Sequence, residues 1–211
     1  MQARLIYVMD PMCSWCWGFA PVFEALAEQA QAAGVSSHLV AGGLRAGTVA
    51  ALEPTTQRYI LEHWQSVADT TGQPFTFEGA LPDGFVYDTE PACRALVVAR
   101  GLAADSVWPV VKGIQQAFYA GGRDVTQAGV LVEIAEKAGL PRIEFAAAFD
   151  SAAALTSTRA DFEWVQNLGI AGFPTVLAER NGQLALLTNG YQALDQLAPL
   201  LARWLEHGAH G

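Results

Sequence analysis

Residues 10–19 read DPMCSWCWGF. They hold Cys13 and Cys16, two of the chain's three cysteines, separated by Ser14 and Trp15. The segment before them, RLIYVM (4–9), is a short aliphatic and aromatic run of the kind that forms a buried strand. After them, Phe19, Phe23, Leu26 and Ala30 recur at helical spacing and Gly34 is a natural C′ stop. Pro21 falls inside this helix, where it removes one hydrogen bond and predicts a kink. The cysteine pair therefore sits where a strand hands over to a helix.

That position has chemical consequences. Cys13 lies near the helix N-terminus, where unpaired N–H groups and the helix dipole favour a thiolate, so its pKa is expected below the free value of about 8.5. Cys16, one turn further in, is expected to be the more buried thiol. An exposed attacking thiol with a resolving thiol behind it is the pattern that disulfide exchange requires. The plainer reading is two core cysteines. Zinc would need further ligands, yet Cys93, His38, His63, His207 and His210 are scattered singly, so neither a metal nor a cofactor is expected. The histidines read as surface or satisfied core residues.

Composition narrows the class. The chain has 211 residues, 52% hydrophobic and 16% charged, which suits one large domain or a domain with an insertion. A net charge of −9 argues against nucleic acid and against an anionic membrane surface. No apolar run approaches the roughly 18–20 residues needed to span a bilayer. The opening MQARLIYVMD lacks a signal-peptide h-region and cleavage site, so a cytoplasmic location is expected. Three cysteines do not make a disulfide framework; in a reducing compartment a close pair is more often catalytic or metal-binding.

Further along, SSHLVAGG (36–43) reads as a second strand with a glycine exit. Helical spacing then dominates near 53–70, 90–102, 105–120, 126–139, 142–149 and 153–168. FPTVLAE and QLALLTN are two strands joined at Asn181-Gly182, a strong hairpin signal, and a last helix over about 191–207 carries Leu194, Leu197, Leu201 and Trp204 on one face. The order is β-α-β, a helical block, then β-β-α. This is an α/β chain with the element order of a thioredoxin fold and a large all-helical insertion after the second strand: residues 1–50 and 164–211 form the thioredoxin-fold domain, and 51–163 the inserted helical domain.

A second motif, GIAGFPTVL (169–177), sets Phe173-Pro174 at the entrance of the third strand. With strand, C-x-x-C, helical insertion and G-F-P-T together, the chain resembles the DsbA-like branch of the thioredoxin superfamily. DPMCSWCWGF looks most like that branch's protein-disulfide isomerases related to FrnE-type proteins. The resemblance covers almost the whole chain. It implies that the Phe173–Pro174 bond is cis and faces the cysteines, and that the Phe173 backbone pairs with bound substrate beside Cys13. It implies a thiol–disulfide oxidoreductase acting on protein or small-molecule thiols, glutathione among them.

Within that reading Cys13 is the nucleophile and Cys16 resolves. Asp10 either caps the active-site helix or relays protons to Cys16. Ser14 and Trp15 tune redox poise. The family's best-known oxidase has Pro-His there, so losing the histidine points to a less depressed Cys13 pKa and a less oxidising protein. Pro174 shapes the groove, with Gly172, Phe173 and Thr175 beside it. Trp15 is expected to lie exposed near the site, while Trp17 is either substrate-facing or core. Cys93, on the helix begun by Thr89 or Asp88 and Pro91, reads as a core cysteine. The Gly-rich AGGLRAG and AGGRD read as turns, not phosphate loops. Two alternatives stay open. One is a glutathione enzyme like the kappa-class transferases and hydroxychromene-carboxylate isomerases, which use a serine where Cys13 stands. The other is a non-catalytic, redox-switched interaction protein.

Overall fold

A computed structural model describes residues 3–207, without the His207 side chain; His210 and residues 1–2 lie outside the described residues, as does the side-chain reading made above for His207. Strand β1 (Ala3–Met9) is central because both its faces are apolar. Leu5, Tyr7 and Met9 enter the main core, while Ile6 and Val8 enter a smaller one with Val40, Val165 and Leu177. All five are at most 1% exposed, and each such burial contributes about 1.5–3 kcal/mol. β1 pairs in parallel with β2 (Ser36–Ala41) and antiparallel with β3 (Thr175–Arg180). β3 pairs antiparallel with β4 (Gln183–Asn189), giving the order β2-β1-β3-β4. The β3–β4 turn is the expected two-residue hairpin, with Asn181 and Gly182 at φ 55° and 79°.

Helix α1 (Ser14–Ala32) lies on the main core, with Phe19, Phe23, Leu26 and Ala30 buried and Tyr7 stacked 4.2 Å from Phe23. It ends in a Schellman motif: Val35 N donates to Ala30 O and Gly34 N to Gln31 O, with Gly34 at φ 75°. The helix continues through Pro21. The missing proline N–H leaves the carbonyl four residues back without its partner, and Gln73 Nε2 supplies a donor to that Trp17 oxygen at 2.9 Å.

Six α-helices lie between β2 and β3: α2 (Pro54–Thr71), α3 (Glu90–Leu102), α4 (Val107–Gln115), α5 (Ala128–Lys137), α6 (Arg142–Phe149) and α7 (Ala152–Asn167). The helix expected over 105–120 is composite. A 3-10 turn (Ala104–Ser106) leads into α4, and a π turn (Gln116–Ala120) ends it. The Tyr119 and Ala120 carbonyls of that turn accept from Thr76 N and Thr76 Oγ1 at 2.7 and 2.6 Å, tying the α2–α3 connection to it. The last helix, α8 (Leu194–His207), starts later than expected. Tyr191 stays outside it and packs on Trp15, and Leu194 is 37% exposed while Leu197, Leu201 and Trp204 are buried. Among the described residues no helix is long and apolar enough to cross a membrane.

Because β2 is an edge strand, its outer N–H and C=O groups need partners. The inserted helices supply them. Arg100 of α3 donates to Leu39 O, Asp161 of α7 accepts from Ala41 N at 2.8 Å, and the two side chains form a bidentate pair at 2.8 and 2.9 Å. Asp161→Ala leaves a partly buried guanidinium without its carboxylate and a strand N–H without its acceptor. Denaturant unfolding should show a loss of about 1.5–3 kcal/mol; a change below about 0.5 kcal/mol would show that the clamp adds nothing to stability.

Candidate functional site

The site begins where β1 ends. Asp10 is fully buried; its Oδ1 accepts from Met12 N at 2.8 Å and its Oδ2 from Leu44 N at 2.7 Å. Cys13 N donates to Asp10 O at 3.0 Å, closing the turn. Cys13 itself takes the N-cap position of α1, with φ −91° and ψ 120° and no side-chain cap bond. Asp10 therefore does not cap the helix. It pins the turn ahead of the helix and ties it to the loop after β2. The Cys93 thiol donates to Asp10 Oδ2 at 3.4 Å. Cys93 thus packs in the core as expected, with its thiol on the buried acid. Burial pushes the Asp10 carboxyl up, opposed by the bonds from Thr89, Met12, Leu44 and Cys93.

Cys13 is 6% exposed rather than openly exposed, and all three cysteines are free thiols. Its Sγ lies 3.8 Å from Phe173 O, and the Phe173–Pro174 bond is cis. Cys16 is fully buried behind it. Burial first, then its hydrogen bond to Cys13 and the charge there, push the Cys16 thiol well up. Cys13 opens onto a cavity of about 460 Å³.

The expected site residues divide into two groups. Cys13, Ser14, Trp15, Gly172 and Phe173 line the cavity. Trp15 is half-buried rather than exposed, its ring 5.5 Å from Tyr191 and 5.9 Å from His63. Trp17 and Thr175 face away. Trp17 is 7% exposed, stacks with Tyr119 and donates Nε1 to Pro74 O at 3.0 Å, so it belongs to the core. Thr175, buried at the start of β3, donates its hydroxyl within reach of Gly172 O at 2.8 Å and so supports the proline loop from below. Pro174 is buried between these two groups, its carbonyl accepting from Gly190 N at 2.7 Å.

Several wall residues carry no motif. Arg45 comes from the loop after β2, Tyr59, Ile60, His63 and Trp64 from α2, and Tyr87 from the approach to α3. His63, read above as a surface or core residue, lines the cavity. Tyr87 donates its hydroxyl to Met12 O at 2.7 Å. Gly42, read above as part of a turn, is a close approach: a Cβ there would sit 2.3 Å from the Phe173 ring. The doubled glycine at 42–43 was the available signal, but its partner lies 131 positions away in sequence. Among the described residues no group of three or more His, Cys, Asp or Glu side chains is arranged to hold a metal ion.

With the strand order, the junction cysteines and the proline loop in view, the class is a DsbA-like thioredoxin fold. A family model described as a DSBA-like thioredoxin domain matches residues 4–202. The chain belongs to this DsbA-like thiol–disulfide oxidoreductase family. A candidate protein disulfide isomerase from Nitrosomonas europaea is 43% identical, with a TM-score of 0.93 and 100% of both chains covered. The cytosolic disulfide reductase DsbM from Pseudomonas aeruginosa is 30% identical, with a TM-score of 0.75, covering 97% of this chain and 93% of that one. The same reductase with GSH gives 28% and 0.72 over the same shares. The ClpXP adapter protein SpxH of Halalkalibacterium halodurans is 24% identical over 170 residues, 79% of this chain and 55% of the relative. The chain spans about half the length of the curated relatives it matches.

The buried Asp10 carboxyl has a stability signature. Its pKa is raised in the fold above the unfolded value of about 3.9, so its contribution is fully present below that value and lost as pH rises through the folded pKa. The stability of the wild type minus that of Asp10→Asn should therefore fall as pH rises from about 4, by at most about 1.4 kcal/mol per pH unit. Denaturant unfolding of both proteins between about pH 4 and 8 tests this; a difference that is flat across the range would contradict it.

Proposed function

We propose that this protein is a thiol–disulfide oxidoreductase of the reductase and isomerase kind, working through a Cys13–Cys16 dithiol in the cytoplasm without a metal or cofactor. The observation that carries this reading is the placement of Cys13 on the wall of a ligand-sized cavity, 3.8 Å from Phe173 O, with Cys16 buried directly behind. The Cys13 thiolate attacks one sulfur of a substrate disulfide. A Cys13–substrate disulfide forms, the substrate S–S bond breaks, and the departing thiolate takes a proton. Cys16 then loses its proton and attacks Cys13 Sγ, releasing the second substrate thiolate and leaving the Cys13–Cys16 disulfide. Two electrons have moved from the dithiol to the substrate.

Because burial holds the Cys16 proton tightly, that second attack needs a base. Asp10 fills this role. Its charge acts on Cys16, and its own raised pKa lets it hold the proton in transit. On the substrate side, the Gly172–Phe173 backbone receives the chain bearing the disulfide, with Ser14 and Trp15 beside it. Trp17 and Thr175 support the site from behind. Residues 51–163 act as an inserted domain that supplies the α2 wall, and residues 1–50 and 164–211 form the redox domain. The DsbM likeness supports the reductase direction, the cytoplasmic location and glutathione as a substrate, and the Ser14-Trp15 dipeptide supports the direction too.

Cys13→Ser should abolish disulfide reduction. Cys16→Ser should accumulate a mixed disulfide on Cys13, visible by mass spectrometry under non-reducing conditions. The pair's reduction potential should lie at or below the cytosolic glutathione poise, about −220 to −320 mV. Failure to form any reversible Cys13–Cys16 disulfide across a series of glutathione ratios would rule the reading out. A second reading, an adapter that binds a partner protein, is favoured by the SpxH likeness. It requires partner binding to survive Cys13→Ser.

A further inference from the structure

Among the described residues, the wall of the cavity above Cys13 contains no aspartate or glutamate, in a chain with 21 acidic residues against 12 Lys and Arg. It carries Arg45 and His63 instead. Seven other Lys and Arg side chains sit in ion pairs among the described residues. Among the described residues Arg45 has no carboxylate within 4.0 Å; its guanidinium lies 5.3 Å from the centre of the Tyr87 ring. It is only partly exposed.

This cation is also held in register with the cysteines. Arg45 N donates to Thr89 Oγ1 at 3.1 Å, and the preceding Leu44 N donates to Asp10 Oδ2 at 2.7 Å. Beneath the guanidinium, the Tyr87 hydroxyl is bonded to Met12 O, one residue before Cys13. Arg45 is therefore tied through two short links to the turn that presents the nucleophile.

We propose that Arg45 is the specificity residue of the site: it binds the carboxylate of a low-molecular-weight acidic thiol or disulfide, of which glutathione is the type, while Cys13 attacks the sulfur. This rests on the oxidoreductase reading above. An anionic ligand approaching a protein of net charge −9 is repelled at long range, so its binding needs a local cation within the screening length of about 8 Å at physiological salt. A planar guanidinium offers carboxylates paired donors. A volume of about 460 Å³ is the scale of small-ligand sites, which favours a small thiol over a protein segment.

The test uses the pre-reduced full chain in single turnovers, so that no external reductant is needed. Oxidised glutathione is compared with the neutral bis(2-hydroxyethyl) disulfide by stopped-flow tryptophan fluorescence. Each substrate is reduced to two thiols as Cys13 and Cys16 become a disulfide. In Arg45→Ala, the ratio of the second-order rate constants, acidic over neutral, should fall by about tenfold. Arg45→Lys should recover part of it, and the fall of the oxidised-glutathione rate with added salt should flatten in Arg45→Ala. An unchanged ratio, including parallel loss of both rates, overturns the assignment while leaving the oxidoreductase reading in place. A faster, equally Arg45-dependent reaction with an acidic peptide disulfide overturns the small-thiol substrate. Wild-type protein inert to every disulfide overturns the oxidoreductase reading and this proposal with it.

Discussion

Asp10 is a carboxyl group with no exposure, and the geometry of the site hangs from it. A buried carboxyl is tolerated only when donors replace its water. Here Met12 N, Leu44 N and the Cys93 thiol do so. These donors come from three separate segments: the turn into α1, the loop after β2, and the start of α3. Satisfying one carboxyl therefore fixes where Cys13 points, where Arg45 stands and how the helical insertion approaches the sheet. The same burial that costs stability at neutral pH leaves Asp10 protonatable, next to a thiol whose proton is hard to remove.

The insertion and the sheet depend on each other through polar repairs at two more places. Pro21 strips α1 of an N–H, and Gln73, just after α2, supplies the missing donor to Trp17 O. The open edge of β2 would expose Leu39 O and Ala41 N, and the Arg100–Asp161 pair from α3 and α7 satisfies both. One continuous apolar cluster runs from α1 and the sheet into the inserted helices. Such sharing explains why the cavity above Cys13 has one wall from the proline loop and another from α2.

Close packing also sets the loop beside the nucleophile. Phe173 lies against Gly42, with no room for even one methyl group, and Thr175 and Asn189 hold the loop from beneath. The Phe173 carbonyl that faces Cys13 is thereby placed by contacts with the ends of β2, β3 and β4. Family membership supplies the general chemistry, and this local packing sets where the nucleophile and the walls of its cavity stand.

Local sequence was enough for most of the architecture. The apolar run of β1, the 3.6-residue spacing of α1, the Asn181-Gly182 hairpin and the six intervening helical segments each follow from short-range periodicity and turn chemistry, which need no knowledge of distant partners. The C-x-x-C at a strand-to-helix junction and the Phe173-Pro174 step were readable for the same reason. The fates of Trp17, His63, Gly42 and Arg45 were not. Each depends on a neighbour far away in sequence: Pro74 for Trp17, Trp15 for His63 within the α2 wall, Phe173 for Gly42, and Tyr87 for Arg45. Whether an aromatic residue faces substrate or core, and whether a cation stands alone or paired, is decided by which segments packing brings together, and periodicity within one segment carries no record of that.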